Sequence, residues 1–595
     1  MKSTQTQTLT ACLALFIITA LLYAGALKNP LVYDSRLLLD HHFYRELFNQ
    51  FTIFDKRWIS HLSFYAVYKI CGENILFHRL INILVHASNA ILVFFMINRF
   101  AVVFEKKPTN AHSQDHQILC FFGALLFAVH PVAVYTTAYL IQRSMLLATF
   151  FTLLTILTYL KALQQKSFWF TMFATALYFF AIHAKEHVIM LPFFLFVITC
   201  FYKKSVWQSV RDVFVPFVMF ILIAAEMTLR NRGILFSLYE PHGQLMASFG
   251  NQNTLAPTGL EGLQLKDFYP LSILNQSLLF FKYMLLWIIP LPGLLSIDCQ
   301  SVFPQGLKSW PHLLGLGSFC LYPLIVVTLV IRRHIIPAAA LLFPWVMFFT
   351  EFAAVRYTEN FVLYRSYLWA SGLFLLMPCL SFIRYKKILY TALILLSVVC
   401  VLESRQLLKT FSSEYELWSD AEQKMTASYT QVPGSYRITD YLGTELVKRK
   451  DYHAAVQYLS KSIRLRPYNP FVHHNLAVAK KALKQYDEAK EYFFNALMLE
   501  TENADPQVLN RKKSDVLFGL AESMIADQNT TGAAAYLEAA LVMTPSHVNA
   551  LNRLGLIRHN ENKHAASQAL FNRVLKIDPD NQLAREALKI IKDDR

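Results

Sequence analysis

Apolar runs, each about as long as a lipid bilayer is thick, dominate roughly the first 400 residues of this 595-residue chain. They fall near 9–27, 76–98, 117–134, 144–162, 167–183, 187–202, 212–229, 272–292, 312–331, 335–352, 363–380 and 386–402. A helix needs about 20 predominantly apolar residues to cross hydrocarbon. Inside hydrocarbon every backbone N–H and C=O must find a partner within the protein, so repeated runs of this length predict a bundle of spanning helices. The first run ends at Ala24-Gly25-Ala26, which resembles a signal-peptidase site. The run exceeds the 7–15-residue core of a signal peptide, which favours an uncleaved first span.

Charge sets the orientation of such a bundle. The net charge is +16, and its basic residues gather beside the apolar runs: Lys106-Lys107, Lys203-Lys204, Arg332-Arg333, and Arg384 with Lys386-Lys387. That pattern follows from retention of Lys and Arg on the cytoplasmic side. It is not a nucleic-acid pattern, because the soluble part has no basic stripe interleaved with stacking aromatics. The rule places the N-terminus inside and residues 29–75, 135–143, 183–187 and 230–271 outside, together with the soluble C-terminal region. A full crossing at 272–292 would reverse every later basic stretch, so a re-entrant segment or a further short crossing near Leu294 is expected there. None of the eight cysteines forms a CxxC pair, so metal-type cysteine spacing is absent.

After Glu403 the chain changes to a soluble helical composition with an internal repeat. Thirty-four residues separate Pro545 from Pro579. Ahead of Pro467 stand Leu442-Gly443, Ala455, Leu459 and Ser462. The same slots hold Leu476-Ala477, Ala489, Phe493 and Ala496, then Leu520-Ala521, Ala533, Leu537 and Ala540, then Leu554-Gly555, Ser567, Phe571 and Val574. Small residues at these slots let two helices pack closely, and proline closes the second helix. The pattern resembles the tetratricopeptide repeat (TPR), in about four units. A helix near Ser412–Met425 reads as an N-terminal cap.

Several polar groups stand out against the apolar background. Asp34 lies in the loop after the first run, where a solvated loop acid is the simple reading. His78, Asn82, His86 and Asn89 are spaced four, four and three apart, which aligns them on one helical face. Such a face usually joins membrane helices by hydrogen bonds; lining a site is the other reading. His130 closes one run and Arg143 opens the next. Arg143 can snorkel to the interface or hold a phosphate through its planar fork. His183, Lys185, Glu186 and His187 sit between two barely sufficient apolar runs. A charge at the bilayer centre costs about 2.5–3.5 kcal/mol on insertion scales, so these four belong at the surface or in a wet cavity. Arg365, preceded by Tyr364, has the same two readings as Arg143. One acid and three cations on one side of the membrane match the needs of transfer from an anionic lipid phosphate: a base for the incoming hydroxyl, and positive charge for the leaving group.

The order of these motifs resembles a known family. Phe77-His78-Arg79-Leu80…His86-Ala87, then Leu126-Phe127-Ala128-Val129-His130-Pro131, Gln142-Arg143-Ser144, Ala184-Lys185-Glu186 and Tyr364-Arg365-Ser366-Tyr367 precede the repeats. This is similar to the transmembrane-and-TPR proteins of the GT-C glycosyltransferase superfamily, the O-mannosyltransferase type and its bacterial relatives. The resemblance implies an inverting transfer of a monosaccharide from a polyprenyl-phosphate donor to a protein Ser or Thr hydroxyl, on the non-cytoplasmic face. It implies Asp34 as the catalytic acidic residue, with Lys185 and Arg365 at the donor's lipid phosphate, where the residues' own reading adds Arg143. His78, His86, His130, Glu186 and Tyr364 would line the site. Two positions depart from the family pattern. Ser35 stands where a second acid is usual, which shifts attention to Asp40 or Glu46, and Ser144-Met145 replaces the acid after Arg143.

The expected fold is therefore all-α: a polytopic GT-C-type transmembrane domain over 1–403, a connecting helix over 404–435, and a TPR solenoid over 436–595. The expected partners are the lipid-linked sugar, membrane lipids and an acceptor protein held by the TPRs; no nucleic acid and no bound metal are expected. A bacterial inner membrane with a periplasmic TPR domain fits that reading. Two alternatives remain open: a lipid-linked polysaccharide polymerase or ligase, and a non-catalytic TPR scaffold for envelope assembly.

Overall fold

The computed structural model describes residues 2–36, 38, 57–104, 114–203, 206–233, 235, 265–425, 432, 434–499 and 506–593. Asp40 and Glu46 lie outside the described residues. Every regular element described is helical, apart from one isolated antiparallel bridge between Cys299 and Phe361. The chain divides into two compact units, Met1–Gly434 and Ser435–Arg595.

The first unit opens with α1 (Lys2–Tyr23), α2 (Trp58–Cys71), α3 (Ile75–Phe104) and α4 (Gln114–Val129). It continues through α5 (Pro131–Thr137), α6 (Arg143–Gln165), α7 (Phe168–Ala184), α8 (Leu191–Lys203) and α9 (Val206–Arg230). The later helices are α10 (Leu265–Ile288), α11 (His312–Ile331), α12 (Ile335–Phe348), α13 (Tyr367–Ala370), α14 (Lys386–Thr410) and α15 (Glu414–Gln423). Among the described residues, eight helical stretches are long and apolar enough to cross a membrane: Gln5–Lys28, Ile75–Phe104, Leu140–Gln165, Glu186–Lys203, Phe268–Ile288, His312–Ile331, Ile335–Phe352 and Lys386–Thr410.

Three expected spans take a different form. Residues 117–134 read as one run but break at His130, where α4 and α5 meet at 56°. Pro131 has no N–H to continue the helix, and His130 Nδ1 caps the new one by accepting from the Val132 N–H at 3.3 Å. Residues 363–380 do not form one long α-helix. The stretch winds as a 3₁₀ turn (Leu363–Ser366), the single turn of α13, and a 3₁₀ segment (Ser371–Phe382). Ser366 and Ser371 hydroxyls donate to the carbonyls three residues back, at 2.6 and 2.7 Å, and so compete with regular α-winding. The short crossing expected near Leu294 is a three-residue 3₁₀ turn, Pro292–Leu294, about 6 Å long and far short of a bilayer.

Helix α3 organises the bundle; it packs against α1, α4 and α6. Its buried polar face makes hydrogen bonds between helices. Asn82 Nδ2 donates to Leu140 O at 3.2 Å, and His86 bridges Tyr367 Oη at 2.7 Å and Ala128 O at 2.9 Å. Asn89 Nδ2 donates to Leu146 O at 3.0 Å. Elsewhere two backbones come close. A Cβ on Gly315 of α11 would stand 2.7 Å from Leu278 Cα of α10, inside any allowed contact.

The second unit stacks four helix pairs: α16 (Ser435–Lys448) with α17 (Tyr452–Leu465), α18 (Pro470–Ala482) with α19 (Tyr486–Leu499), α20 (Pro506–Ala526) with α21 (Thr530–Met543), and α22 (Val548–Asn560) with α23 (His564–Ile577). A last helix, α24 (Gln582–Asp593), packs on α23 and places Ala584 and Ile591 in the shared core. Ala455, Ala489 and Ala533 are fully buried, and so are Leu459, Phe493 and Leu537. The repeat slots are thus the core of the array. The helix that reads as an N-terminal cap is α15, and it belongs to the first unit.

The two glycines of α11 should respond with opposite signs. Gly315→Ala must push Leu278 aside, and overpacking of that kind costs about 1–3 kcal/mol. Gly317 has nothing within 4 Å of its Cβ position, so Gly317→Ala should gain about 0.5–1 kcal/mol from reduced unfolded-state freedom. Thermal unfolding of the full chain in detergent reads both; equal shifts would contradict the close α10–α11 crossing.

Candidate functional site

The Asp34 loop is held from two directions. Arg79 of α3 donates to three backbone carbonyls: Nε to Asn29 at 3.0 Å, Nη2 to Pro30 at 2.5 Å and Nη1 to Ala138 at 2.9 Å. From the other direction Glu414, at the start of α15, accepts the Tyr33 N–H at 2.6 Å, the Trp418 indole at 2.9 Å and Arg36 Nε at 2.9 Å. Tyr33 sits at φ 52°, the left-handed region that a tyrosine rarely occupies. That strain, about 1–3 kcal/mol, is held next to Asp34 by the Glu414 bond and by ring contacts with Trp418 and Tyr139. Ser35 is buried and accepts the Ile141 N–H at 3.3 Å.

An aromatic pair links the surroundings of Asp34 to those of Lys185. Tyr139 and Tyr364 meet at 6.0 Å between ring centroids. Burial foremost, then the adjacent Asp34, holds the Tyr139 phenol above its ordinary pKa. On the Tyr364 side, the Lys185 ammonium lies 5.3 Å from the ring. Lys185 sits in the turn between α7 and the next apolar stretch and is buried. It donates to the neutral Gln142 Oε1 at 3.0 Å. Among the described residues no carboxylate stands within 4 Å of its ammonium. Burial first, then the nearby Arg57, pushes its pKa down to about 7.

Beside Lys185 runs an ionic cluster in which each arginine has its own carboxylate. Arg57 grips Glu186 with Nη2 at 2.5 Å and Nε at 3.0 Å. Glu351, 2% exposed, faces His187 Nε2 at 3.3 Å, Arg356 Nε at 3.4 Å and Arg365 Nη1 at 3.5 Å. Arg365 also reaches Glu359 at 3.2 Å. The sequence did not single out Glu351, Arg356 or Arg57. The available signal was an acid ending the apolar run 335–352, where only a partner makes a buried carboxylate tolerable.

The remaining expected site residues have other surroundings. Arg143 is fully buried; it donates to Asn82 Oδ1 at 2.8 Å and His78 O at 2.6 Å, and stands 3.7 Å over the Phe64 ring. These contacts fasten α6 to α2 and α3. His86 uses both ring nitrogens within the bundle, His130 caps α5 and stacks on Trp287 at 4.4 Å, and His78 packs on Phe64 at 5.8 Å. The structure thus sets Lys185 against Tyr364 and Asp34 near Tyr139, with Glu186 and Arg365 in the adjoining cluster. Among the described residues no group of three His, Cys, Asp or Glu side chains could hold a metal ion.

Comparison with known proteins identifies the second unit. A tetratricopeptide-repeat family model matches residues 472–503 and 548–581. The chain is 36% identical over 58 residues to the protein MJ0572 of Methanocaldococcus jannaschii, covering 10% of this chain and 67% of that one. It is 30% identical over 76 residues to the protein y4yS of Sinorhizobium fredii, covering 13% of this chain and 42% of that one. The match therefore spans less than half the length of y4yS. Among solved structures, YrrB, a TPR protein with an unusual peptide-binding site, aligns with 30% of this chain and 86% of its own, at 17% identity and a TM-score of 0.24. The Cut9–Hcn1 hetero-tetramer of the APC/C aligns with 94% of this chain and 97% of its own, at 13% identity and a TM-score of 0.27. Scores at that level carry no structural argument.

Glu351 should be the costliest single side chain to remove. Glu351→Ala leaves two buried arginines short of a counter-charge, and breaking such a set costs about 3–5 kcal/mol. A melting curve in detergent checks it; an unchanged transition would mean that water or another acid already compensates Arg356 and Arg365.

Proposed function

Because the second unit is a tetratricopeptide-repeat array, we propose that it recruits a protein to a membrane-embedded glycosyltransferase of the GT-C type formed by the first. The donor is a polyprenyl-phosphate monosaccharide and the acceptor a protein Ser or Thr hydroxyl. The observation that carries this reading is the placement of Asp34 and Lys185 on either side of the Tyr139–Tyr364 pair. Asp34 takes the hydroxyl proton as the oxygen attacks the anomeric carbon. Lys185 meets the lipid phosphate as it leaves, since the arginines beside it are already paired. Arg365 and Arg356 act on the same phosphate at longer range, held in place by Glu351. Transfer on the non-cytoplasmic face, in a bacterial inner membrane with periplasmic repeats, completes the proposal.

A general base in position contributes about 10²–10⁴-fold. Asp34→Asn should therefore lose at least about 100-fold in transfer of labelled sugar from polyprenyl phosphate to the cell's own proteins. The TPR match also favours a second reading, a non-catalytic scaffold. That reading requires Asp34→Asn to behave as wild type while changes on the repeat surface abolish function; transfer lost with Asp34→Asn would eliminate it.

The Lys185 pKa gives the donor step a pH dependence. An amine whose folded pKa has fallen to about 7 is charged below that pH and neutral above it. The donor KM should rise about tenfold between roughly pH 6 and pH 8 as the ammonium is lost. Lys185→Arg keeps its charge over that range and should flatten the profile. A wild-type KM independent of pH would remove Lys185 from donor binding.

A further inference from the structure

Helix α10 carries one charge in its apolar stretch Phe268–Ile288, Lys282. It lies six residues, about 9 Å, from the helix end, and an ammonium at that depth is expensive without a partner. Simple snorkelling to the surface does not describe it. The ammonium stands 4.5 Å from the Phe361 ring and lines a polar cavity of about 50 Å³ with Ser296, Asp298, Cys299, Gln300 and Lys424. Among the described residues no carboxylate comes within 4 Å of it. Lys424, by contrast, is engaged by Asp420 at 2.6 Å and Leu295 O at 2.8 Å.

The cavity wall is built before any ligand arrives. The Cys299 thiol contacts the Leu294 and Ser296 carbonyls, both at 3.2 Å. Gln300 Nε2 donates to Asp298 Oδ1 at 2.5 Å. A wall held this way loses little freedom on binding. In volume, one water needs about 10–15 Å³, so the cavity takes a few waters or one phosphate group, and not a sugar ring. Its chemistry is two-sided, with an ammonium on Lys282 and a carboxylate on Asp298. Ile288, Ile289 and Leu291, which precede the lining residues Gly293 and Leu294 in the chain, are 61%, 52% and 39% exposed.

We propose that this cavity seats the phosphate of a phospholipid on Lys282, with the acyl chains along the exposed apolar residues Ile288, Ile289 and Leu291. The site is independent of the transferase reading. It adjoins the C-terminal end of α15, about 15 Å along that helix from Glu414.

The test uses the full chain in nanodiscs of phosphatidylcholine doped with phosphatidylethanolamine and phosphatidylglycerol. After mild delipidation, native mass spectrometry counts the phospholipids that remain. Wild type should keep one; Lys282→Met should keep about tenfold less or lower still, and Lys282→Arg should retain it. Lys282→Met removes a charge from an apolar helix, so folding should not suffer, and wild-type gel filtration confirms that in the same sample. Equal retention by wild type and Lys282→Met overturns the proposal. So does calorimetric binding of inorganic phosphate by the delipidated wild type with no retained lipid, which would make the ligand a soluble phosphate.

Discussion

Hydrocarbon offers no partner for a polar group, and the polar face of α3 is where the first unit answers that constraint most fully. Arg79, Asn82, His86 and Asn89 each bond to carbonyls or side chains of other segments. These bonds also set the geometry of the candidate site. Arg79 holds the carbonyls of Asn29 and Pro30, and so positions the strained turn that carries Asp34. Asn82 accepts from Arg143, which fixes the first turn of α6, and Gln142 just before that turn holds Lys185. One helical face thus controls both ends of the Asp34–Lys185 arrangement.

The ionic cluster around Glu351 has a different physical role. Buried ion pairs add little net stability, because desolvation offsets most of their attraction. What they do is hold charge at a defined place. Three arginines, two of them buried, are kept beside Lys185 without an external anion, because Glu186, Glu351 and Glu359 already pair with them. An anion arriving nearby then meets a field prepared in advance, and reorganisation at the moment of reaction is small.

Much of this was legible in the chain itself. The 34-residue period required a buried small residue at each repeat slot, and Ala455, Ala489 and Ala533 are such residues. The four-four-three spacing of His78, Asn82, His86 and Asn89 identified one helical face, although it could not choose between glue and site. Local signals failed where distant contacts decide. Nothing near Glu351 in the chain announces Arg365, and nothing near Lys282 announces the loop that surrounds it. The winding of 363–382 was missed because apolar composition masks the serines that tighten it.

Arg143 and Arg365 show how far local context can mislead. Each opens an apolar segment, each is followed by serine, and each matches a phosphate-binding motif on paper. Among the described residues Arg143 bonds to neutral groups, the Asn82 side chain and the His78 carbonyl, with Phe64 against its guanidinium. A guanidinium held in that way ties three helices together. Arg365 sits among carboxylates and its charge is already shared. Lys185 differs from both, since its bonded partner is the neutral Gln142 amide. What each of these three similar cations already holds differs, and that is a property of the packed bundle rather than of any motif.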